Sequence, residues 1–140
     1  MTRKIAVGFD GSDGSWRALH EAVRLAALEK SELHIVSIEE LASYPATVGE
    51  VMEEQEAGDS RFHQLHEQAI EAGLTAGVSG IKANIKIGHP AKGLVDYADE
   101  IGADLLVLGH SGHSGIWGTF LGTTADKVIR HAKCSVLVVR

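Results

Sequence analysis

Two groups of residues in this chain have types and spacings suited to chemistry on an anion. The first is Gly109-His110-Ser111-Gly112, followed after nine intervening residues by Gly122-Thr123-Thr124. Glycines let a backbone come close enough for its N–H groups to surround phosphate oxygens. A helix starting at Thr123 would add unpaired donors and a partial positive charge. Thr123-x-x-Asp126 places a hydroxyl cap and an acid in the first turn of that helix, with Lys127, Arg130 and His131 further along. The loop and the start of the helix together therefore read as an anion cradle. On the loop alone, Gly109, Gly112, Gly115 and Gly118 at every third position would equally suit a flexible linker. The apolar runs on either side of it favour the cradle. The second group is Asp10 in Val7-Gly8-Phe9-Asp10-Gly11-Ser12, a carboxylate at the end of an apolar run. Its ordinary role would be a helix cap or turn former.

Other chemistry-bearing residues are weaker. His63 and His66 stand at i, i+3 and could ligate a metal, but no Cys or carboxylate constellation completes a shell, so a pair of surface histidines is expected. Cys134 is the one cysteine, which excludes an internal disulfide and fits a reducing compartment; it reads as a small buried hydrophobe between helix and strand.

The elements that must position these residues follow in order. Ile5–Phe9 is an apolar first strand, and a helix with Trp16, Ala18, Leu19, Ala22, Val23 and Ala26 at helical spacing runs to about Lys30. Leu33–Ile38 is the second strand. Residues 39–58, with Tyr44-Pro45-Ala46 and an acidic face of Glu50, Glu53, Glu54 and Glu56, predict an excursion with a short helical piece. A helix from Asp59 to about Gly73 buries Phe62, Leu65, Ala69 and Ile70. Ile81, Ala83, Ile85 and Ile87 alternate with Lys82, Asn84 and Lys86, the pattern of an edge strand guarded by lysines. Gly88-His89-Pro90 opens a helix carrying Leu94, Val95, Tyr97 and Ala98. Leu105–Leu108 then leads into the glycine loop, the last helix and Ser135–Val139.

Five strands alternating with four helices specify an α/β fold: an open, doubly wound, five-stranded parallel sheet in order 3-2-1-4-5 with helices on both faces. In that order strands 1 and 4 flank the topological switch point, where ligands bind beyond the strand C-termini. Asp10 and Gly109 meet there. At 140 residues the chain fits one domain, 1–140, and its 13 Lys plus Arg against 19 Asp plus Glu, a formal charge of −6, argue against nucleic acid. The first strand is too short for a signal or a membrane span, so no membrane association and a cytoplasmic location are expected.

Other uses of such a sheet lack their residues. Gly88 stands where a phosphoacceptor receiver would want a carboxylate, and Asp10 and Asp13 would repel the phosphate of a flavodoxin. Neither Gly-x4-Gly-Lys-Ser/Thr nor a Gly-x-Gly-x-x-Gly directly after strand 1 occurs.

The spacing Gly109-x2-Gly112-x9-Gly122-Thr123, with Val7-Gly8-Phe9-Asp10 at the start, resembles the ATP-binding signature of the universal stress protein family, and the likeness extends over the whole chain. That resemblance implies an adenine nucleotide alpha hydrolase-like fold. It further implies that Asp10 meets the ribose and base region, Ile38 walls the adenine, Gly109 touches the ribose, and Gly112, Gly122, Thr123 and Thr124 hold phosphates. For Ile38 an ordinary core position is an equal alternative. His113 stands where many members carry Arg or Lys, and Ser135 where proline is common. Triphosphate charge would then fall to backbone N–H groups, the helix dipole and Mg²⁺ brought with the nucleotide. ATP is the expected ligand, with AMP or a cyclic nucleotide as alternatives. No clamp or nucleophile-positioning residue for phosphoryl transfer stands out. The resemblance implies a nucleotide-binding regulator in stress response, against a slow ATPase or an interaction module with a vestigial pocket. The uncharged Val136-Leu137-Val138-Val139 edge predicts a homodimer in which two Ser135–Val139 strands pair.

Overall fold

Apolar runs too short for helices become strands buried on both faces. The computed structural model describes residues 3–40, 47–110 and 121–140. Its strands are β1 (Lys4–Gly8), β2 (Glu32–Glu39), β3 (Ile81–Ile87), β4 (Leu105–Gly109) and β5 (Ser135–Val139). All neighbours pair in parallel, in the order β3-β2-β1-β4-β5. Between them run α1 (Asp13–Glu29), α2 (Val48–Thr75), α3 (Pro90–Ile101) and α4 (Thr123–His131). The doubly wound architecture expected from the alternation is the one observed.

The pleat divides the core in two. Ile5, Val7, Leu33, Ile35 and Val107 face α1 and α2, while Ala6, Val36, Leu106 and Leu108 face α3 and α4. Ile5, Val7, Leu33, Ile35 and Leu106 are wholly buried, each contributing about 1.5–3 kcal/mol of transfer free energy. The edge position of β3 agrees with its lysines; Lys82 reaches Glu32 on β2 at 3.1 Å. Beneath it runs a directed chain of hydrogen bonds. Asn84 Nδ2 donates to Tyr97 Oη at 2.8 Å, leaving the Tyr97 hydroxyl proton for His34 Nδ1 at 2.9 Å, and His34 Nε2 lies 3.1 Å from Glu32 Oε1. Burial pushes the His34 imidazole pKa down, partly offset by Glu32, so a neutral ring donates its Nε2–H to that carboxylate in a hydrogen bond.

Three local expectations are corrected. Helix α2 begins at Val48 rather than near Asp59, because Thr47 and Glu50 form a reciprocal capping box that satisfies two orphan N–H groups. Residues 41–46, including Tyr44-Pro45-Ala46, lie outside the described residues. Helix α4 is capped by Gly122 without a side-chain bond, and Thr123 is the first helical residue, so its hydroxyl is not a cap. His66 is 5% exposed and belongs to the core rather than the surface.

Candidate functional site

The crevice at the C-terminal ends of β1, β2 and β4 is built from backbone constraints first. Ser12 caps α1 by accepting from Ser15 N at 3.2 Å, and Asp10 Oδ1 accepts from Ser12 N at 2.9 Å. These bonds fold the turn that carries Asp10 over the sheet edge. Gly11 holds φ +84°, and a Cβ there would stand 2.8 Å from Leu65 of α2, so the turn is also clamped from above. On the other side, a Cβ on Gly109 would approach the Gly14 carbonyl oxygen at 2.7 Å. Only glycine lets β4 end this close to the first turn of α1.

The two ends of the glycine loop are pinned to each other. His110 N–H donates to the Val139 carbonyl of β5 at 2.8 Å, and Gly122 N–H donates to the His110 carbonyl at 2.8 Å. Gly122 therefore has its own N–H already used, and the open donors at this helix end come from residues after it. Gly112 and His113, with Gly115 and Gly118, lie outside the described residues.

A cavity of about 290 Å³ results, lined by Phe9, Asp10, Ile38, Pro90, Gly109, His110, Gly122 and Thr124 among others. Asp10, Ile38, Gly109, Gly122 and Thr124 thus line one common space. Thr123 does not line it; it faces the adjoining groove between α3 and α4. Ile38 is half-buried, and its side chain lies against Gly93, where a Cβ would meet it at 2.8 Å. It is part wall and part packing.

Comparison with protein-family models matches the Universal stress protein family over residues 1–140. The chain belongs to the universal stress protein family. The universal stress protein Rv1636 of Mycobacterium tuberculosis is 33% identical over 140 residues, covering 98% of this chain and 95% of its own. YxiE of Bacillus subtilis is 33% identical over 153 residues, covering 100% of both. Among solved structures, the universal stress protein UspA from Lactobacillus plantarum superposes with a TM-score of 0.92 at 27% identity, over 99% of this chain and 97% of that one. A universal stress protein crystallised in complex with cAMP has a TM-score of 0.77 at 34% identity, with the same coverage.

In this universal stress protein the turn bearing Asp10 has a support that the sequence reading missed. Ser37 Oγ donates to the Phe9 carbonyl at 2.5 Å, which uses its only proton. The 2.7 Å contact between Ser37 Oγ and His66 Nε2 must then be an N–H donated by the imidazole. His66 also packs against Phe9 and Phe62, and its burial pushes its pKa down to about 4. A neutral His66 thus props the end of β1. The signal was the spacing of Phe62, His66, Ala69 and Gly73, one helical stripe that includes the histidine. The alternative of a His63–His66 metal pair loses its second ligand to Ser37, and no metal-binding group of three or more His, Cys, Asp or Glu occurs among the described residues.

Proposed function

We propose that this protein binds an adenine nucleotide, ATP foremost, in the crevice between β1 and β4, and acts as a nucleotide-responsive regulator rather than as a catalyst. The observation that carries the reading is the convergence of Asp10, Ile38, Gly109, Gly122 and Thr124 on one cavity at the topological switch point. The cAMP complex of a relative 34% identical supports an adenine nucleotide as the ligand. In this reading Asp10 meets the ribose and base region, Gly109 the ribose, Ile38 the base, and Gly112, Gly122, Thr123 and Thr124 the phosphates. Mg²⁺ arrives with the nucleotide, since the described residues offer Asp10 but no cluster to hold the ion alone.

Regulation has a physical route. His110, at the start of the glycine loop, is bonded to Val139 at the end of β5, so ligand binding beside His110 acts on the sheet edge. That edge is proposed as the homodimer interface. Residues 1–140 act as one domain, and the absence among the described residues of any helix able to cross a membrane is compatible with a cytoplasmic site of action.

Denaturing the purified protein and identifying the released small molecule by mass spectrometry tests the ligand. An adenine nucleotide is the expected result, and a flavin would overturn the reading. Phosphate release from ATP tests the role. Turnover well below the roughly 1–10³ per second of typical enzymes is expected. Rapid turnover, abolished by changes in the crevice, would favour the ATPase instead.

A further inference from the structure

On the α2 face of the sheet lies a groove separate from the crevice. It runs between α2 and the edge strand β3, encloses about 590 Å³ and shares no lining residue with the crevice. Small-molecule sites span about 300–1,000 Å³, so its size suits one. Its two walls differ in chemistry. From β3, where alternate residues share a face, Ala83, Ile85 and Ile87 form an apolar shelf that Ile70 of α2 continues. Ile87 is 50% exposed, an apolar side chain left open at the sheet edge. From α2, Asp59, His63, His66 and Glu67 fall at successive intervals of four, three and one residues, a single helical stripe of polar groups beside that shelf.

The charge in the groove is one-sided. Asp59 and Glu67 line it, and no lysine or arginine does among the described residues. Arg61, on the same helix, is turned onto the Phe62 ring, its guanidinium carbon 4.7 Å from the centroid. A metal ion is not what the stripe would hold, since no group of three or more metal-binding side chains occurs among the described residues.

His66 adds the group that selects a ligand. It is 5% exposed, and its Nε2 carries the ring proton donated to Ser37 Oγ. In the neutral ring Nδ1 is then a bare acceptor. None of the described residues hydrogen-bonds Nδ1, and the atom is not sealed in the core, so it opens onto the groove that the ring lines. An acceptor without a donor, two carboxylates and an apolar shelf are complemented by a cation that donates hydrogen bonds and carries an alkyl body.

We infer that the groove between α2 and β3 is a second ligand site, for a small alkylammonium cation whose N–H bonds His66 Nδ1 in the field of Asp59 and Glu67 while its carbon chain lies on Ile85 and Ile87. The site does not depend on the nucleotide reading, and either can fail without the other.

The test is an NMR titration of the full chain at about pH 7, where an alkylamine is charged as lysine is, following the His66 ring nitrogens and the Ile85 and Ile87 methyl groups. The probes are n-hexylammonium, hexanol, which keeps the chain without the charge, and hexanoate, which reverses it. Hexylammonium should give saturable shifts at all three residues, His66 Nδ1 included. Hexanol should bind about three- to fivefold more weakly and hexanoate at least about tenfold more weakly. Glu67→Gln, a change at an exposed position, should weaken hexylammonium about two- to fivefold and leave hexanol unchanged. His66→Gln, which keeps an N–H for Ser37 but has no ring acceptor, should weaken it by a similar factor. No saturable binding of hexylammonium, equal affinities for it and hexanol, an unmoved His66 Nδ1, or full affinity in Glu67→Gln would each overturn the inference. So would Ile85 and Ile87 shifts that follow protein concentration with no probe added, which would give the groove to a second copy of the chain.

Discussion

His66 illustrates how one buried side chain sets a pH dependence. In the folded protein its pKa is about 4, below the ordinary 6.5, because burial penalises the charged ring, with the charge on His63 adding to it. The unfolded chain therefore takes up a proton that the native state refuses. Stability from this group is full above about pH 6.5 and is lost as pH falls towards 4, by about 2 kcal/mol between pH 7 and pH 5. Glu39 works in the opposite sense. Burial first, then its hydrogen bond to Asp59 and the like charge there, push its carboxyl up. Its contribution is present at low pH and declines as pH rises, and its Oε2 has no hydrogen-bond partner. Urea denaturation at pH 7 and pH 5 should show wild type losing about 2 kcal/mol more than His66→Gln. Identical losses would show that His66 is not the group that titrates. Its place in the buried stripe was legible in the spacing from Phe62 to Gly73, but a histidine three residues from another reads first as a polar pair.

At the scale of elements, the apolar strands were readable because a parallel strand buried on both faces has no polar period to confuse it. The first part of α2 was not. Residues from Val48 to Glu56 are largely exposed, with Val48 77% and Met52 56% accessible, so no apolar stripe marks the helix. Its support there is the capping box, a feature of two residues within an acidic run. The reverse error occurred at α4, where Thr123 looked like a cap and Gly122 holds that position. Gly109 lies where two elements nearly touch, with backbone atoms of Gly14 as the obstacle. Gly109→Ala should therefore cost roughly 1–3 kcal/mol, because neither β4 nor the first turn of α1 can yield cheaply. A denaturation midpoint equal to wild type would mean that the contact relaxes.

For the whole molecule, the open question is what covers β5. Its faces are packed, with Leu137 and Val139 on the α1 side and Val136 on the α4 side, but among the described residues it pairs with β4 alone. β3 at the opposite edge is guarded by Lys82 and Lys86, while β5 carries no charge before Arg140. Light scattering should give a dimer at micromolar concentration, and lysines at Val136 and Val138 should shift it to monomer. A monomeric wild type would remove the proposed route from nucleotide to assembly. The order of the strands and the meeting of Asp10 with Gly109 were legible from alternation and the switch-point rule. The link from His110 to Val139, which ties ligand loop to sheet edge, was not, because backbone hydrogen bonds between distant residues leave no mark in residue type.

The central claim is that an adenine nucleotide occupies the crevice, and Gly122 offers the most direct test of it. Gly122 has φ −61° and ψ 152°, a conformation open to valine, so Gly122→Val adds bulk to the crevice wall without demanding a backbone change. Its N–H can still bond to His110. The measurement is calorimetric titration of ATP into wild type and Gly122→Val, with thermal melts confirming that both are folded. Saturable binding by wild type and a loss of at least about tenfold in the folded variant is the result expected when a side chain displaces phosphate oxygens. Undiminished binding by a folded Gly122→Val would contradict the site.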